Sequence, residues 1–418
     1  MSSFDIASAR ESFPALQQSQ VFLDNAGGSQ TLGTVIGSRT NVQLGASYAV
    51  GQKSTALYSA GFEAAAKYIN ASPDNIVLGS STTQLFRNLS SALEFPEGSE
   101  VVISSIDHEA NIASWVDLAK RRNLVIKWWT PKTQENPKLL ASDLRELLSS
   151  KTVLVTCTHA SNILGTIHDI KAIADAVHTI PGALLCVDAV AYAPHRQIDV
   201  KALGVDFYAF SWYKVYGPHI SMLYASEHGL QATTSLGHFF NASRTLDNKL
   251  GLAGGNYELT SSIPSVSAYF GSSPSEKWAA IEKHEGQLQG TLLGYLNDRP
   301  DVTICGEKSA DTKKRVSTIS FVVKGKKSKD VVEKVDELSK GEMGIRWGGF
   351  YSNRLVNEVL GLGNDGVVRV SMVHYNTVEE VKQLLGLFDQ VLGKAAERNL
   401  QGLDAIVLVF SIQRSTGL

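Results

Sequence analysis

An α/β fold is what this sequence predicts: a mainly parallel sheet covered by helices on both faces, followed by a smaller α+β unit. Three observations predict it. Apolar runs of strand length alternate with amphipathic helical runs through the middle of the chain, which is the pattern of a sheet buried on both faces. From about residue 265 that rhythm gives way to a long helix and a few strand–helix alternations. And 418 residues, 43% of them hydrophobic and 19% charged, are enough for two domains with a large core.

The elements follow in order. "VVISSI" (101–106) precedes the helical pattern "NIASWVDLAKRR"; "LVIKWW" (124–129) precedes a helix near "SDLRELLS". "TVLVTCTH" (152–159) leads to "DIKAIADAVHTI", then come "ALLCVDAV" (183–190), "DFYAFS" (206–211) and "ISMLYAS" (220–226). The second unit opens with a long helix through "SEKWAAIEKHEGQLQGTLLGYL". It continues with "VTICG", "RVSTISFVVKG", the helix "SKDVVEKVDELS", "VVRVSMVHY" and a last helix from Thr377 to about Arg398. We expect a large domain over 21–262 and a small one over 263–400. An N-terminal segment, 1–20, is expected to pack on the small domain, and 401–418 form a tail of unassigned role.

Composition excludes several classes. Lys+Arg 39 against Asp+Glu 41 leaves a net charge of −2 with no long run of one sign, which argues against nucleic acid or an anionic membrane as partner. "KGKKSK" (324–329) reads as a solvated loop. Cys157, Cys186 and Cys305 are odd in number and widely spaced, so they read as reduced thiols of a cytoplasmic protein. The opening "MSSFDIASARESFPAL" lacks the basic and apolar regions of a secretory signal, and "AIVLVFSI" (405–412) is too short to span a bilayer. No metal site is expected.

In parallel sheets ligands collect beyond the carboxyl ends of the strands. His108 follows the first run, His159 and Asn162 the third, Asp188 lies inside the fourth and Lys214 follows the fifth. Any one of them is ordinary as a cap or surface residue; together, at one sheet edge, they are harder to dismiss. Asp188 in "LLCVDAVAY" needs a cationic or hydrogen-bonding partner for its charge. Lys214 stands among Phe207, Tyr208, Phe210, Trp212, Tyr213 and Tyr216, and a lysine desolvated by such neighbours keeps a free amine able to form a Schiff base with an aldehyde. A lysine for an aldehyde and an acid for a pyridinium nitrogen are the pairing that pyridoxal phosphate requires. "LGSSTTQLFRNLSSAL" (78–93) adds hydroxyls at a helix N-terminus, a ready site for the phosphate.

"FLDNAGG", "DHEANIASW", "HASNILGTI", "VDAVAYAPHRQIDV", "FSWYKVYGP" and "VRVSMVHYNT" together resemble the successive motifs of the class V aminotransferase superfamily, in its cysteine desulfurase-like branch. The resemblance runs from about residue 20 to 395. It implies the type I fold of pyridoxal phosphate enzymes, with a seven-stranded sheet and a homodimer whose active sites lie at the interface. It also implies roles: Lys214 joins the cofactor covalently, Asp188 pairs with the pyridine nitrogen and His108 stacks on the ring. Asn162 approaches the phenolic oxygen or the substrate carboxylate, and Thr82, Thr83, Ser211 and Tyr213 hold the phosphate. Arg369 clamps the substrate α-carboxylate, with Gly27 and Tyr351 beside the substrate. Gly255 and Asn256, in "LAGGNYE", match a segment lent to the partner subunit, although Gly255 stands where a threonine is usual.

The departures bear on the reaction. Desulfurases carry a nucleophilic cysteine shortly before the carboxylate-binding arginine, and "GIRWGGFYSNR" (344–354) has none; Tyr351 or a neighbour takes the place. Cys305 lies about 40 residues upstream and fits no such motif. Ala191 replaces a glutamine usual near the cofactor oxygen, and Tyr213 a usual histidine. The resemblance therefore favours a β-eliminating C–S lyase acting on cysteine, its sulfoxides or S-substituted cysteines. Decarboxylative C–C bond formation from aspartate is the runner-up, since a fungal aldolase shares "KWW" and "FSWYK…GPH"; epimerisation comes third.

Overall fold

A computed structural model describes residues 4–27, 29–36, 44–240, 243–251, 254–271 and 273–393. The tail at 401–418 and the end of the last helix expected near Arg398 lie outside these residues.

Seven strands form the central sheet: β1 Ile76–Gly79, β2 Glu100–Ser104, β3 Val125–Trp129, β4 Thr152–Thr158, β5 Leu184–Asp188, β6 Phe207–Ser211 and β7 Ser221–Ala225. Their order is β1-β7-β6-β5-β4-β2-β3. All neighbours are parallel except β7, which runs against both β1 and β6. Alternation along each strand divides the core in two. Val102, Val155, Leu185, Val187, Tyr208 and Phe210 face one side, while Val101, Ile103, Leu154, Leu184, Cys186 and Phe207 face the other. The helices Thr82–Ala92 and Ala110–Arg122 cover the second face with Leu85, Phe86, Leu89, Ile112, Trp115 and Leu118. The expected sheet, buried on both faces, is thus the observed one.

A second sheet of four antiparallel strands holds β8 Val302–Cys305, β9 Thr318–Val323, β10 Arg346–Gly348 and β11 Val367–Ser371, in the order β10-β11-β9-β8. Strand β10 was not foreseen, because three residues bounded by glycines carry no readable period. The helices Pro274–Asn297, Ser328–Leu338 and Val378–Leu392 pack on this sheet with Leu288, Leu292, Val331, Val335, Leu384 and Phe388. Early residues reach this region too. Val21 and Phe22 pair in parallel with Met343 and Gly344, and Arg10 bonds Glu380 at 2.8 Å. Glu285, fully buried in the long helix, meets His195 at 2.9 Å and Arg196 at 2.7 Å and so ties that helix to the loop after β5. Among the described residues no helix is long and apolar enough to cross a membrane.

Candidate active site

Because β2, β4, β5 and β6 are parallel, their carboxyl ends open on one edge, and the predicted residues gather there. One cavity is lined by Thr82, Thr83, His108, Asn162, Asp188, Ala191, Ser211, Tyr213 and Lys214. A second, of about 440 Å³, shares His108, Asn162, Tyr213 and Lys214 with it and adds Gly27, Arg346, Phe350, Tyr351 and Arg369. Gly255 and Asn256 are not brought here. They line a neighbouring cavity with Tyr58, Ser80, Gln84, Asp247 and His219.

Asp188 ends β5 with only 5% of its surface exposed. Burial pushes its carboxyl up to about 6, opposed by the N–H of Val190, which donates to it at 2.9 Å, and by the charge of Lys214. Below it Asp107 accepts from the N–H of Thr158 at 3.1 Å and from Asn111 at 2.6 Å; burial pushes this acid up to about 7. Lys214 sits in the tight turn Trp212–Lys214 directly after β6. Burial brings its amine down to about 8, aided by Arg369 and opposed by Asp188 and Asp24. The aromatic cage expected around it is mostly absent. Tyr208, Phe210, Trp212 and Tyr216 point into the core, Phe207 into the opposite core, and of the six rings only Tyr213 lines the cavity. Strand alternation in β6 and the turn after it send the others into the core, so burial and Arg369, rather than ring contact, depress the amine.

His108 accepts from the Ala110 N–H at its Nδ1 (3.1 Å), which leaves Nε2 to carry the proton of the neutral ring. Burial, then Lys214 and Arg369, holds it down to about 4. At the other end of the cavity Ser81 caps the Thr82–Ala92 helix by accepting from the Gln84 N–H (3.1 Å). Thr82 Oγ1 lies 2.8 Å from Ser211 Oγ, and Ser211 Oγ 2.7 Å from Ser221 Oγ. Hydroxyls and free N–H groups at a helix N-terminus suit an anion.

Arg369 is buried on β11. Its Nη2 donates to Asp24 Oδ1 (2.7 Å) and its Nη1 to the Asn162 carbonyl (3.1 Å), while Nε has no partner among the described residues. The Phe350 ring lies 3.6 Å from the guanidinium carbon. Arg346, opposite Arg369 in the β10–β11 register, reaches the other Asp24 oxygen at 3.5 Å. The Asn162 side chain is spent on the same loop: Nδ2 donates to the Phe350 carbonyl (3.0 Å) and Oδ1 accepts from Ser352 (2.9 Å). Tyr351 is exposed, its ring 5.5 Å from His108, and its carbonyl accepts the Glu109 N–H at 2.7 Å. At Gly27 a Cβ would stand 2.7 Å from Asp24 Oδ2, so a side chain there would push that carboxylate aside.

A family profile for aminotransferase class-V matches residues 21–384. This chain belongs to that family. The aminotransferase-like protein FGM3 of Gibberella zeae is 56% identical over 401 residues, covering 94% of this chain and 99% of that protein. The cysteine desulfurase-like protein ustD of Aspergillus flavus is 39% identical, covering 93% and 91%. The apo structure of a cysteine desulfurase from Thermococcus onnurineus aligns with a TM-score of 0.82 at 25% identity, over 94% of this chain and 99% of that one.

As a class V aminotransferase family member the chain is a pyridoxal phosphate enzyme, and its donor set fits that group. Among the described residues a buried acid with a raised pKa accepts no hydrogen bond from a cationic N–H, a hydroxyl chain stands at a helix N-terminus, and an amine brought down to about 8 lines the same cavity. The buried thiols lie apart from these cavities. Cys157, Cys186 and Cys305 line neither cavity, and burial pushes Cys305 up to about 12. Sequence reasoning passed over Asp24, Arg346, Phe350 and Ser352. Asp24, an acid directly after the apolar "VFL", carried the one usable signal; Arg346 lies in the three-residue strand β10, and Phe350 and Ser352 in the loop after it, none of them with a readable period.

Proposed function

We propose that this enzyme is a C–S lyase that cleaves the Cβ–S bond of cysteine or an S-substituted cysteine and releases pyruvate and ammonia. The observation that carries the reading is a cavity holding a base but no thiol: Lys214 lines it, and all three cysteines are buried elsewhere. In our reading Lys214 and Asp188 hold the cofactor at its aldehyde and pyridine nitrogen, His108 lies against the ring, and Thr82, Thr83, Ser211 and Tyr213 take the phosphate. Bound there, pyridoxal phosphate supplies a sink for negative charge developing at the substrate Cα.

Arg369 receives the substrate α-carboxylate on a planar fork, the geometry a carboxylate prefers. Nε is unpartnered and Nη2 is released when the substrate takes the place of Asp24. Lys214, once free of the aldehyde, removes the Cα proton. The Cα–H and Cβ–S bonds break, the sulfur leaves with the electron pair as thiolate, and water completes pyruvate and ammonia. Nothing in this sequence needs a protein sulfur. Gly255 and Asn256, held away from this chain's own cavity, support a homodimer in which they serve the partner's site. Three reduced, buried cysteines suit a cytoplasmic setting.

Arg346 favours a second reading. It sets a second guanidinium on the cavity wall, placed for a side-chain carboxylate, as decarboxylative C–C bond formation from aspartate requires. Incubating the loaded enzyme with cysteine, a cysteine sulfoxide, S-methylcysteine, and aspartate with an aldehyde separates the two. Pyruvate from the sulfur compounds supports the lyase. Carbon dioxide and a new amino acid only from aspartate plus the aldehyde would replace it with the second reading.

A further inference from the structure

Tyr213 and His219 face each other across the turn that carries Lys214. Strands β6 and β7 are antiparallel with Ser211 opposite Ser221, and the Trp212 N–H donates to the Ile220 carbonyl at 2.8 Å. Just past the ends of the two strands, residues 213 and 219 come together. Their rings stack with centroids 4.8 Å apart and planes 4° from parallel. Ser211 and Ser221 carry the hydroxyl chain to Thr82, and the ring pair stands just beyond the ends of their strands.

The two rings border different spaces. Tyr213 lines the cavity of Lys214 and Asp188; the exposed His219 lines the adjoining cavity with Ser80 and Gln84. Among the described residues the Tyr213 hydroxyl has no hydrogen-bond partner, while its backbone carbonyl accepts from Ser29 at 3.1 Å. The residue is therefore fixed at its backbone and, on the outer side, by one stacked imidazole.

We propose that His219 is a positioning residue for the cofactor phosphate: its imidazole fixes the Tyr213 ring so that the phenolic O–H donates to the phosphate held by Thr82 and Ser211. A tyrosine is longer than the histidine usual at position 213. The stack with His219 restricts where that longer side chain can swing. The inference rests on the assignment of Thr82 and Ser211 to the phosphate.

The test compares the affinities of the full-length apoprotein for pyridoxal phosphate and for pyridoxal, measured by equilibrium dialysis. The ratio isolates the phosphate's share and needs no turnover. His219→Ala is expected to lower the ratio about fivefold through loss of the ring pair, and His219→Phe to restore most of it. Tyr213→Phe should lower the ratio roughly tenfold through loss of a bond to a charged group. In that background His219→Ala should add less than about twofold, because the two act as one unit. An unchanged ratio in His219→Ala beside a reduced one in Thr82→Ala overturns the role of His219 alone. An unchanged ratio in Thr82→Ala overturns the phosphate assignment itself. Equal losses in His219→Phe and His219→Ala also overturn the stacking role. If His219→Ala loses its native circular dichroism, His219→Leu against His219→Phe makes the same comparison.

Discussion

Arg369 and Asp24 form a pair at 2.7 Å, although 345 positions separate them in the chain. The arginine that we assign to the substrate carboxylate is thus neutralised by the protein's own carboxylate until substrate arrives. Asp24→Asn should leave Arg369 buried with a weaker partner and cost about 3 kcal/mol. A carboxylate ligand then gains the place Asp24 held. In thermal melts a substrate amino acid should raise the Tm of Asp24→Asn by more than that of the wild type; an equal rise would refute the displacement.

Lys214 loses its proton at about 8 rather than at its ordinary 10.5 because it is buried and because Arg369 lies near. Loading of the apoprotein, followed by visible absorbance, should therefore accelerate as pH rises through about 8 and then level off. Arg369→Gln removes the nearby positive charge and should move that rise to higher pH. Lys214→Ala should fold, and borohydride should fix no cofactor to it in a mass spectrum.

The buried acid beneath the cofactor makes the apoprotein pH-sensitive. A carboxyl with a raised folded pKa holds its proton more tightly when folded. The contribution of Asp188 is therefore full below about 3.8 and is lost as pH rises through about 6. At pH 7 the charged, buried carboxylate costs the apoprotein about 3 kcal/mol. Asp188→Asn should recover much of this in urea unfolding of the apoprotein at pH 7 and little at pH 4. The same variant should bind pyridoxal phosphate more weakly, for want of a charge beside its nitrogen.

Burial of the thiols predicts resistance to alkylation. Iodoacetamide attacks the thiolate, and burial pushes Cys305 up to about 12 and raises Cys157 and Cys186 well above the ordinary thiol value. The native loaded enzyme should keep its activity through a treatment that fully labels the protein in urea. Activity that falls in step with labelling of one cysteine would reinstate a sulfur relay.

Asn162 is the latch of the 349–354 loop, bonded to it at both ends of its amide. Phe350 and Tyr351 in that loop hold positive φ, 47° and 58°, a backbone cost that the latches must offset. Asn162→Ala should speed hydrogen exchange at 349–354 by about tenfold or more, from the loss of two buried bonds. An unchanged exchange rate would show that the Glu109–Tyr351 bond and the Phe350–Arg369 stack suffice.

Six strands of the large sheet were legible because each is an apolar run of strand length, whereas β1, only four residues long, was legible at its end alone; the site residues were legible because parallel strands expose their carboxyl ends together. Lys214 and Asp188 could be found this way, each being a charged group beside or within an apolar run. What surrounds Lys214 could not. Sequence proximity to six rings suggested a cage, whereas alternation sends Tyr208 and Phe210 one way and Phe207 the other. Asp24, Arg346 and Phe350 meet Arg369 through contacts between distant segments, and no local period records those.

The parallel pairing of Val21 and Phe22 with Met343 and Gly344 sets an order of assembly. Translation delivers His108, Asp188 and Lys214 well before Gly344 or Arg369, and domains fold largely as they emerge. A nascent chain can thus complete the edge that we assign to the cofactor while Asp24 still waits for its arginine. The carboxylate clamp closes only when early and late segments meet, so no half-made polypeptide carries a complete substrate site.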